Sequence, residues 1–139
     1  MKSSWLVMLS ILLSTAAVAN PYNGNWYFVK GQYTRDNGEV SLADNSSLVA
    51  VKSVLDNKFS LTNTENGVFL GYLSGDFIVE GSQYSESIKE GTRSEHIGKT
   101  FVFSGWLEHK EEYGRTITYW HHKGLVDGVK EYEVWQKLE

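Results

Sequence analysis

Hydrophobic and polar residues alternate along this chain in short runs that are separated by turn-forming residues. The runs fall at about 24–34, 47–55, 58–63, 67–73, 75–80, 83–89, 99–109, 113–123 and 130–138. Glycine, asparagine and aspartate lie between them, as in Arg35-Asp36-Asn37-Gly38 and Asp56-Asn57. Alternation with a period of two places successive side chains on opposite faces of a strand, so the pattern predicts an all-β domain of eight or nine strands. A loop at 90–98 is expected to hold one helical turn around Ser94-Glu95-His96.

The short links between the runs predict how the strands pair. Links of hairpin length connect antiparallel neighbours. Closing such a sheet into an up-and-down β-barrel removes its exposed edges, and a barrel of about eight strands encloses side chains or one small ligand. The alternative architecture is a two-sheet sandwich. The chain has no cysteine and so lacks the Cys-Trp-Cys framework of an immunoglobulin domain, which leaves the barrel as the favoured fold.

The first 19 residues have the pattern of a cleaved signal peptide. Lys2 supplies a positive charge, residues 5–13 are apolar, and Ala17-Val18-Ala19 resembles a cleavage site. The apolar run is shorter than the ~20 residues that span a bilayer, and no second such run follows. We therefore expect an exported protein of the bacterial periplasm or medium, with one domain at residues 20–139 and no integral membrane segment.

Charge and composition limit the kinds of partner that this domain can bind. Thirteen basic and 17 acidic residues give a net charge of −4, which becomes −5 when Lys2 leaves with the signal peptide. This balance argues against nucleic acid and against anionic lipid surfaces, both of which attract basic proteins. No disulfide is available to an exported chain without cysteine. Stability is expected to come from apolar burial, for which 14% aromatic residues are a large supply.

Four short motifs occur in the order seen in a known family. Gly24-Asn25-Trp26 opens the first strand, residues 84–88 and 97–103 follow, and a Glu-x-Trp strand, residues 133–137, closes the chain. Together they resemble the small secreted bacterial lipocalin-like domains, which are calycin-type β-barrels. The resemblance implies a barrel that encloses a small molecule, and a closing contact between the last strand and Trp26. The family usually has Arg two residues after the Trp, where this chain has Lys137, which cannot form the two-pronged bonds of a guanidinium.

Alternation also predicts which side chains face the interior. Phe101 and Phe103 share a face that is a good candidate for the barrel wall, whereas residues 113–123 have an aromatic residue and a histidine on both faces. Glu86 should share a face with Tyr84, and the lipocalin-like resemblance places Glu133 and Trp135 near the interior. An apolar cavity with a few oriented polar groups is typical of a ligand site. The predicted ligand-binding residues are Tyr84, Phe101, Phe103, Tyr119, His121, Glu133 and Trp135, with Trp26 and Lys137 in barrel closure.

The favoured function is non-catalytic binding of a small, mostly apolar or amphipathic ligand. An alternative is a solid-core barrel that acts as a partner-binding or structural envelope protein through an outer patch of Trp106 and Trp120. A further alternative is a cavity-based isomerase or cyclase that uses Glu and His to move protons. A nucleophile elbow, a phosphate loop and a thiol nucleophile are all absent. The chain is expected to be a monomer or a homodimer.

The histidines do not predict a metal centre. His121 and His122 are adjacent, and neighbouring side chains of a strand point to opposite faces, so the two cannot hold one ion. No His-x-His or Glu-x-x-His spacing occurs, and zinc needs three or four ligands. Glu131 and Glu133 share a strand face that a charged surface would explain. A haem held by His121 or His122 is the alternative, but we expect no metal and no cofactor.

Overall fold

The computed structural model describes residues 19–139, so the predicted signal peptide falls, apart from Ala19, outside the described residues. Nine strands and one short helical turn follow one another. They are β1 Gly24–Thr34, β2 Val40–Asp44, β3 Leu48–Leu55, β4 Lys58–Glu65, β5 Val68–Glu80, β6 Gln83–Gly91, the 3₁₀ turn Ser94–His96, β7 Thr100–Glu112, β8 Arg115–Val126 and β9 Val129–Leu138. No helix within residues 19–139 is long and apolar enough to cross a membrane.

Eight of these strands form a closed antiparallel barrel. From β3 to β9 each strand pairs with the next one along the chain, and β1 closes the ring by pairing with both β3 and β9. The contact between β1 and β9 runs from Asn25 opposite Leu138 to Thr34 opposite Lys130. The extra strand β2 pairs only with the second half of β1, beyond the stretch that pairs with β3. The prediction of an all-β up-and-down barrel is therefore confirmed.

Two-residue turns set the register of several hairpins. Asp127 and Gly128 both have positive φ, 49° and 81°, and they connect Val126 to its partner Val129. Such pairs of left-handed residues form type I′ turns, whose twist matches that of the flanking strands. Asn66-Gly67 and Tyr113-Gly114 repeat the arrangement at two other hairpins. The Asp127-Gly128 turn lies within the link predicted between the last two strands, whereas Tyr113-Gly114 lies just after the link predicted at residues 110–112.

The predicted strands differ from the observed ones mainly at β2 and β5. Strand β2 was not predicted, and the runs at 67–73 and 75–80 are one strand, β5, with an irregular register between Ser74 and Gly75. Gly75 is required by close approach, because a Cβ atom there would overlap the carbonyl oxygen of Ser87 on β6. The Ser74-Gly75 pair therefore marks a bulge within one strand and not a turn between two strands; glycine is common at such bulges.

Aromatic side chains fill one end of the barrel. Tyr22 stacks on Trp120 at 4.6 Å between ring centroids, and its carbonyl oxygen accepts a 2.8 Å hydrogen bond from Nε1 of Trp26. Phe77 joins the same group, and all four side chains are buried. Nζ of Lys137 lies 5.7 Å from the centroid of the Trp26 ring, so the closing contact implied by the family resemblance is present as a cation–π pair. This packed end leaves the other half of the barrel as the place for a cavity.

Candidate functional site

The other half of the barrel encloses a cavity of about 440 Å³. This volume lies within the range of sites that hold small organic molecules, roughly 300–1,000 Å³. Apolar side chains from all eight barrel strands form most of its wall: Phe28, Ala50, Leu61, Leu73, Ile88, Phe101, Phe103, Val126 and Trp135. The wall is thus suited to an apolar body, and its polar exceptions decide which ligand chemistry fits.

Five ionisable side chains that line this cavity form what we call the interior polar cluster: Lys52, Glu86, His122, Glu131 and Glu133. Within it, Nζ of Lys52 donates a 2.8 Å hydrogen bond to Oε1 of Glu86, and these side chains are only 3% and 7% exposed. The Lys52 ammonium also lies 5.1 Å and 5.0 Å from the ring centroids of Trp120 and Trp135. The Glu86 carboxylate and the two indole faces together offset the free-energy cost of removing the Lys52 ammonium from water.

The imidazole of His122 joins the remaining members of the cluster. Its Nε2 lies 2.9 Å from Oε1 of Glu133 and 3.3 Å from Oε2 of Glu131. Its Nδ1 is hydrogen-bonded to the hydroxyl of Tyr84 at 2.6 Å. The second carboxylate oxygen of Glu133 accepts a 2.6 Å hydrogen bond from the hydroxyl of Tyr33. The contacts of His122 with Glu131 and Glu133 lie within the β8–β9 hairpin, whereas the Tyr84 contact joins β6 to β8 and the Tyr33 contact joins β1 to β9. Closure of the barrel therefore completes the network.

Burial and neighbouring charges shift the pKa values of the cluster in different directions. Burial would raise the pKa of Glu133, but the hydrogen bond and charge of His122, together with Lys52, hold it at about 2. Burial would lower the pKa of His122, yet hydrogen bonds to Glu131 and Glu133 outweigh burial and raise it. The pKa of Glu131 is raised, first by burial and then by the charge of Glu133. Glu131 is accordingly the carboxylate of this network whose charge is least compensated.

The open end of the cavity is formed by exposed side chains. Leu42 on β2 is 77% exposed, and Tyr72 on β5 is 41% exposed, although both line the cavity. The 3₁₀ turn also contributes to this end, because His96 lines the cavity and its Nε2 lies 2.8 Å from Oδ2 of Asp127. Nζ of Lys99 donates to the other oxygen of Asp127 at 2.7 Å. These bonds fasten the turn to the β8–β9 hairpin beside the cavity entrance.

Five of the seven predicted ligand-binding residues lie in or directly beneath the cavity. Phe101, Phe103, Glu133 and Trp135 line it. Tyr84 is 1% exposed and packs under the cavity, where its hydroxyl bonds to the ring of His122. The expected shared face of Tyr84 and Glu86 is also present, since both side chains are buried inside the barrel.

The other two predicted residues, Tyr119 and His121, face outward, and their interior placement is corrected here. On β8 the inward side chains are those of Trp120 and His122, and neighbours along a strand point to opposite faces. The hydroxyl of Tyr119 donates to Oε2 of Glu112 at 3.1 Å. His121 stacks on Trp106 with 5.1 Å between ring centroids and 7° between their planes. Neither side chain lines the cavity, so neither is available to a molecule inside it.

The outer patch of two tryptophans is also corrected. Trp106 is 41% exposed, but Trp120 is fully buried among aromatic rings of the packed end. The two indoles therefore lie on opposite sides of the barrel wall. An interaction surface built from both of them is excluded.

The alternation of side chains along the strands does not identify Lys52, His122 and Glu131 as site residues, although all three line the cavity. Glu131 was assigned to a charged surface, but its side chain is only 19% exposed. The signal that could have found the last two is the Asp127-Gly128 turn. A two-residue turn there places Val126 opposite Val129, and counting back along the hairpin places His122 opposite Glu133.

Within residues 19–139, His122, Glu131 and Glu133 also lie in positions that suit a metal ion. Each offers one ligand atom, and these atoms lie within 4.8 Å of one another. The adjacent histidines do point to opposite faces, as expected, but two carboxylates from β9 take the place of a second histidine. A haem is not suggested by this arrangement, because Nε2 of His122 already lies between two carboxylates.

Comparison with known proteins gives similarity at the level of structure. No protein-family model matches the sequence, and neither does any curated protein. The chain is similar to a lipocalin-like protein from Bacteroides uniformis, with 14% identity and a TM-score of 0.46 over 84% of this chain and 97% of that one. It is also similar to an uncharacterized protein from Bacteroides eggerthii, with 13% identity and a TM-score of 0.44 over 84% of this chain and 99% of that one.

Proposed function

We propose that this barrel binds a small molecule with an apolar body in its interior, without catalysing a reaction. The observation that carries the proposal is the cavity of about 440 Å³, whose wall is mostly apolar and whose inner ionisable groups form one cluster, while Glu65 and Arg93 line it as exposed side chains. Removal of apolar ligand surface from water contributes about 25 cal/mol per Å², so an apolar contact of ~150 Å² would contribute about 4 kcal/mol. Affinity on this basis requires no covalent or metal-dependent step.

The charges of the interior polar cluster favour a ligand whose polar end carries a positive charge or a hydrogen-bond donor. Lys52 is already paired with Glu86, and His122 lies closest to Glu133. Glu131 is the least buried of the three carboxylates, at 19% exposed against 13% for Glu133 and 7% for Glu86. A ligand that presents an amine or another hydrogen-bond donor to Glu131 would compensate its charge. We therefore assign the site to neutral or cationic amphipathic molecules and not to fatty-acid carboxylates.

The place of action is proposed from the sequence. The signal-peptide pattern at residues 1–19 supports export to the bacterial periplasm or the medium. A binding protein in either place would take up its ligand from solution, through the end of the cavity that Leu42 and Tyr72 border.

The experiment that tests the binding function compares two substitutions on neighbouring residues of β3. Ala50 faces the cavity and is 2% exposed, whereas Val49 faces outward and is 43% exposed. Ala50→Phe places a ring inside the cavity, and Val49→Phe places the same ring outside. Binding is measured by the fluorescence of the uncharged probe N-phenyl-1-naphthylamine and by native mass spectrometry of protein purified under gentle conditions.

We expect the wild type and Val49→Phe to bind the probe with equal affinity and Ala50→Phe to bind it at least tenfold more weakly. Urea unfolding of all three proteins verifies that each is folded. Equal probe binding by Ala50→Phe and the wild type would show that the probe lies outside the barrel and would contradict the proposal. The same holds if the folded wild type binds neither the probe nor any copurifying molecule.

A further inference from the structure

The floor of the cavity contains three donor atoms that lie within 4.8 Å of one another. Nε2 of His122 lies 2.9 Å from Oε1 of Glu133 and 3.3 Å from Oε2 of Glu131. Zinc binds imidazole nitrogen and carboxylate oxygen at about 2.0–2.2 Å. Two donors at about 2.1 Å from one ion are about 3.0 Å apart at a right angle and about 3.4 Å apart at a tetrahedral angle. Both separations from Nε2 are close to this interval, and the two carboxylate oxygens, which lie within 4.8 Å of each other, reach one ion by side-chain rotation.

Two ligand atoms that would not contact the ion, Nδ1 of His122 and Oε2 of Glu133, are already hydrogen-bonded to tyrosine hydroxyls. The hydroxyl of Tyr84 lies 2.6 Å from Nδ1 of His122, which fixes the ring so that Nε2 points at the carboxylates. The hydroxyl of Tyr33 donates to Oε2 of Glu133 at 2.6 Å and leaves Oε1 directed at His122. Hydrogen bonds of this kind orient the ligands of protein metal sites and strengthen metal binding. Tyr84 and Tyr33 thus supply an outer shell for the proposed centre.

Charge gives an independent reason for a divalent cation. A metal ion on Nε2 displaces the proton that His122 shares with the carboxylates, and the neutral imidazole and two ionised carboxylates that remain carry two negative charges, which one divalent ion balances. The nearby ammonium of Lys52 does not disturb this balance, because Glu86 pairs with it at 2.8 Å. The donors come from a buried histidine and from two carboxylates that are 19% and 13% exposed, so water competes weakly for the ion.

We infer that His122, Glu131 and Glu133 form a binding site for one divalent transition metal ion, with zinc as the first to test. Three protein ligands leave at least one coordination position for water or for a donor atom of a bound molecule, which is the arrangement of an open zinc site. All three residues line the cavity, so that position is reached from it. The inference goes beyond the proposed binding function and does not depend on it, because zinc can be bound without an organic ligand. An ion on Glu131 takes the place of the ligand donor proposed for that carboxylate.

The test is a zinc titration of the purified protein, without a polyhistidine tag and after removal of metal by a chelator, in competition with a chromophoric chelator. Glu131→Gln removes one ligand charge and preserves side-chain shape. Glu108→Gln is the matched control, because Glu108 lies 3.1 Å from Nε2 of His121 and forms a similar His–Glu pair on the outer face. We expect one zinc ion per wild-type chain, at least tenfold weaker binding by Glu131→Gln, and wild-type affinity for Glu108→Gln.

A second measurement covers the case in which Glu131→Gln does not fold. Cobalt(II) bound to the wild type through a nitrogen and two carboxylates in a low-coordinate site should absorb visible light more strongly than the hydrated ion. The inference is overturned if the wild type binds no zinc, if Glu131→Gln binds zinc as tightly as the wild type, or if Glu108→Gln loses the binding instead. A cobalt spectrum identical to that of the hydrated ion would overturn it as well.

Discussion

The buried ion pair of Lys52 and Glu86 offers a sharp test of what stabilises the barrel interior. Nζ and Oε1 are 2.8 Å apart, and the side chains are 3% and 7% exposed. At an effective dielectric constant of about 20, two unit charges at this distance attract by about 6 kcal/mol, which offsets the cost of removing both from water. Lys52→Met keeps the length of the side chain and leaves the Glu86 carboxylate without its partner. We expect the free energy of unfolding to fall by about 3–5 kcal/mol.

The assay is equilibrium unfolding in urea, followed by the fluorescence of the buried residues Trp26, Trp120 and Trp135. With a slope of about 1.5 kcal/mol per M, the expected loss lowers the midpoint by roughly 2–3 M. The double variant Lys52→Met/Glu86→Leu removes both charges, so its stability should return to within about 1 kcal/mol of the wild type.

An exposed ion pair provides the control for this experiment. Lys58 and Asp76 are paired on the surface, with side chains 67% and 33% exposed. Lys58→Met should cost less than about 1 kcal/mol, because solvent screens the pair. The reasoning is refuted if Lys52→Met also costs less than about 1 kcal/mol, or if the double variant is as unstable as Lys52→Met.

Three further substitutions test other contacts in the barrel. Tyr84→Phe removes the hydroxyl that bonds to Nδ1 of His122 at 2.6 Å in a buried site, so we expect thermal unfolding to show a loss of about 1–3 kcal/mol. Gly75→Ala should cost about 3 kcal/mol or more, because the new methyl group overlaps the carbonyl oxygen of Ser87; a loss below about 1 kcal/mol would show that β6 yields easily. Gly128→Ala meets no neighbouring atom, so its cost of about 1–2 kcal/mol in urea unfolding should come from the positive φ of 81° alone.

The strands that were predicted well are those in which one face is buried. β1 alternates buried Trp26 and Phe28 with less buried neighbours, and its predicted bounds agree with the structure. β2 was missed because it pairs with one strand only and buries little, with Leu42 77% exposed and Val40 53% exposed. Polarity alternates along a strand because one of its faces is buried, so a strand that buries little shows only weak alternation.

The candidate site could be predicted only in part, for a related reason. On β8, polarity does not distinguish Tyr119 and His121 from Trp120 and His122, because each pair combines an aromatic ring with an imidazole. The inward face is set by register with β9, and that register depends on a two-residue turn. The inward position of Lys52 is harder still to predict, because a lysine in a strand indicates a solvent-facing position unless its partner on another strand is known.

The pairing of β1 with β9 has a consequence for how the molecule folds. Every other neighbour pair in the ring is local along the chain or nearly so, but the Tyr33–Glu133 contact joins positions 100 residues apart. Closing a loop of that length costs about 4 kcal/mol of chain entropy before the contacts between β1 and β9 are gained. We therefore expect closure to be the slow step, as in other proteins with distant strand pairs. Glu131, Glu133 and Trp135 arrive with that last strand, so a half-folded chain has hairpins and aromatic clusters but no binding site.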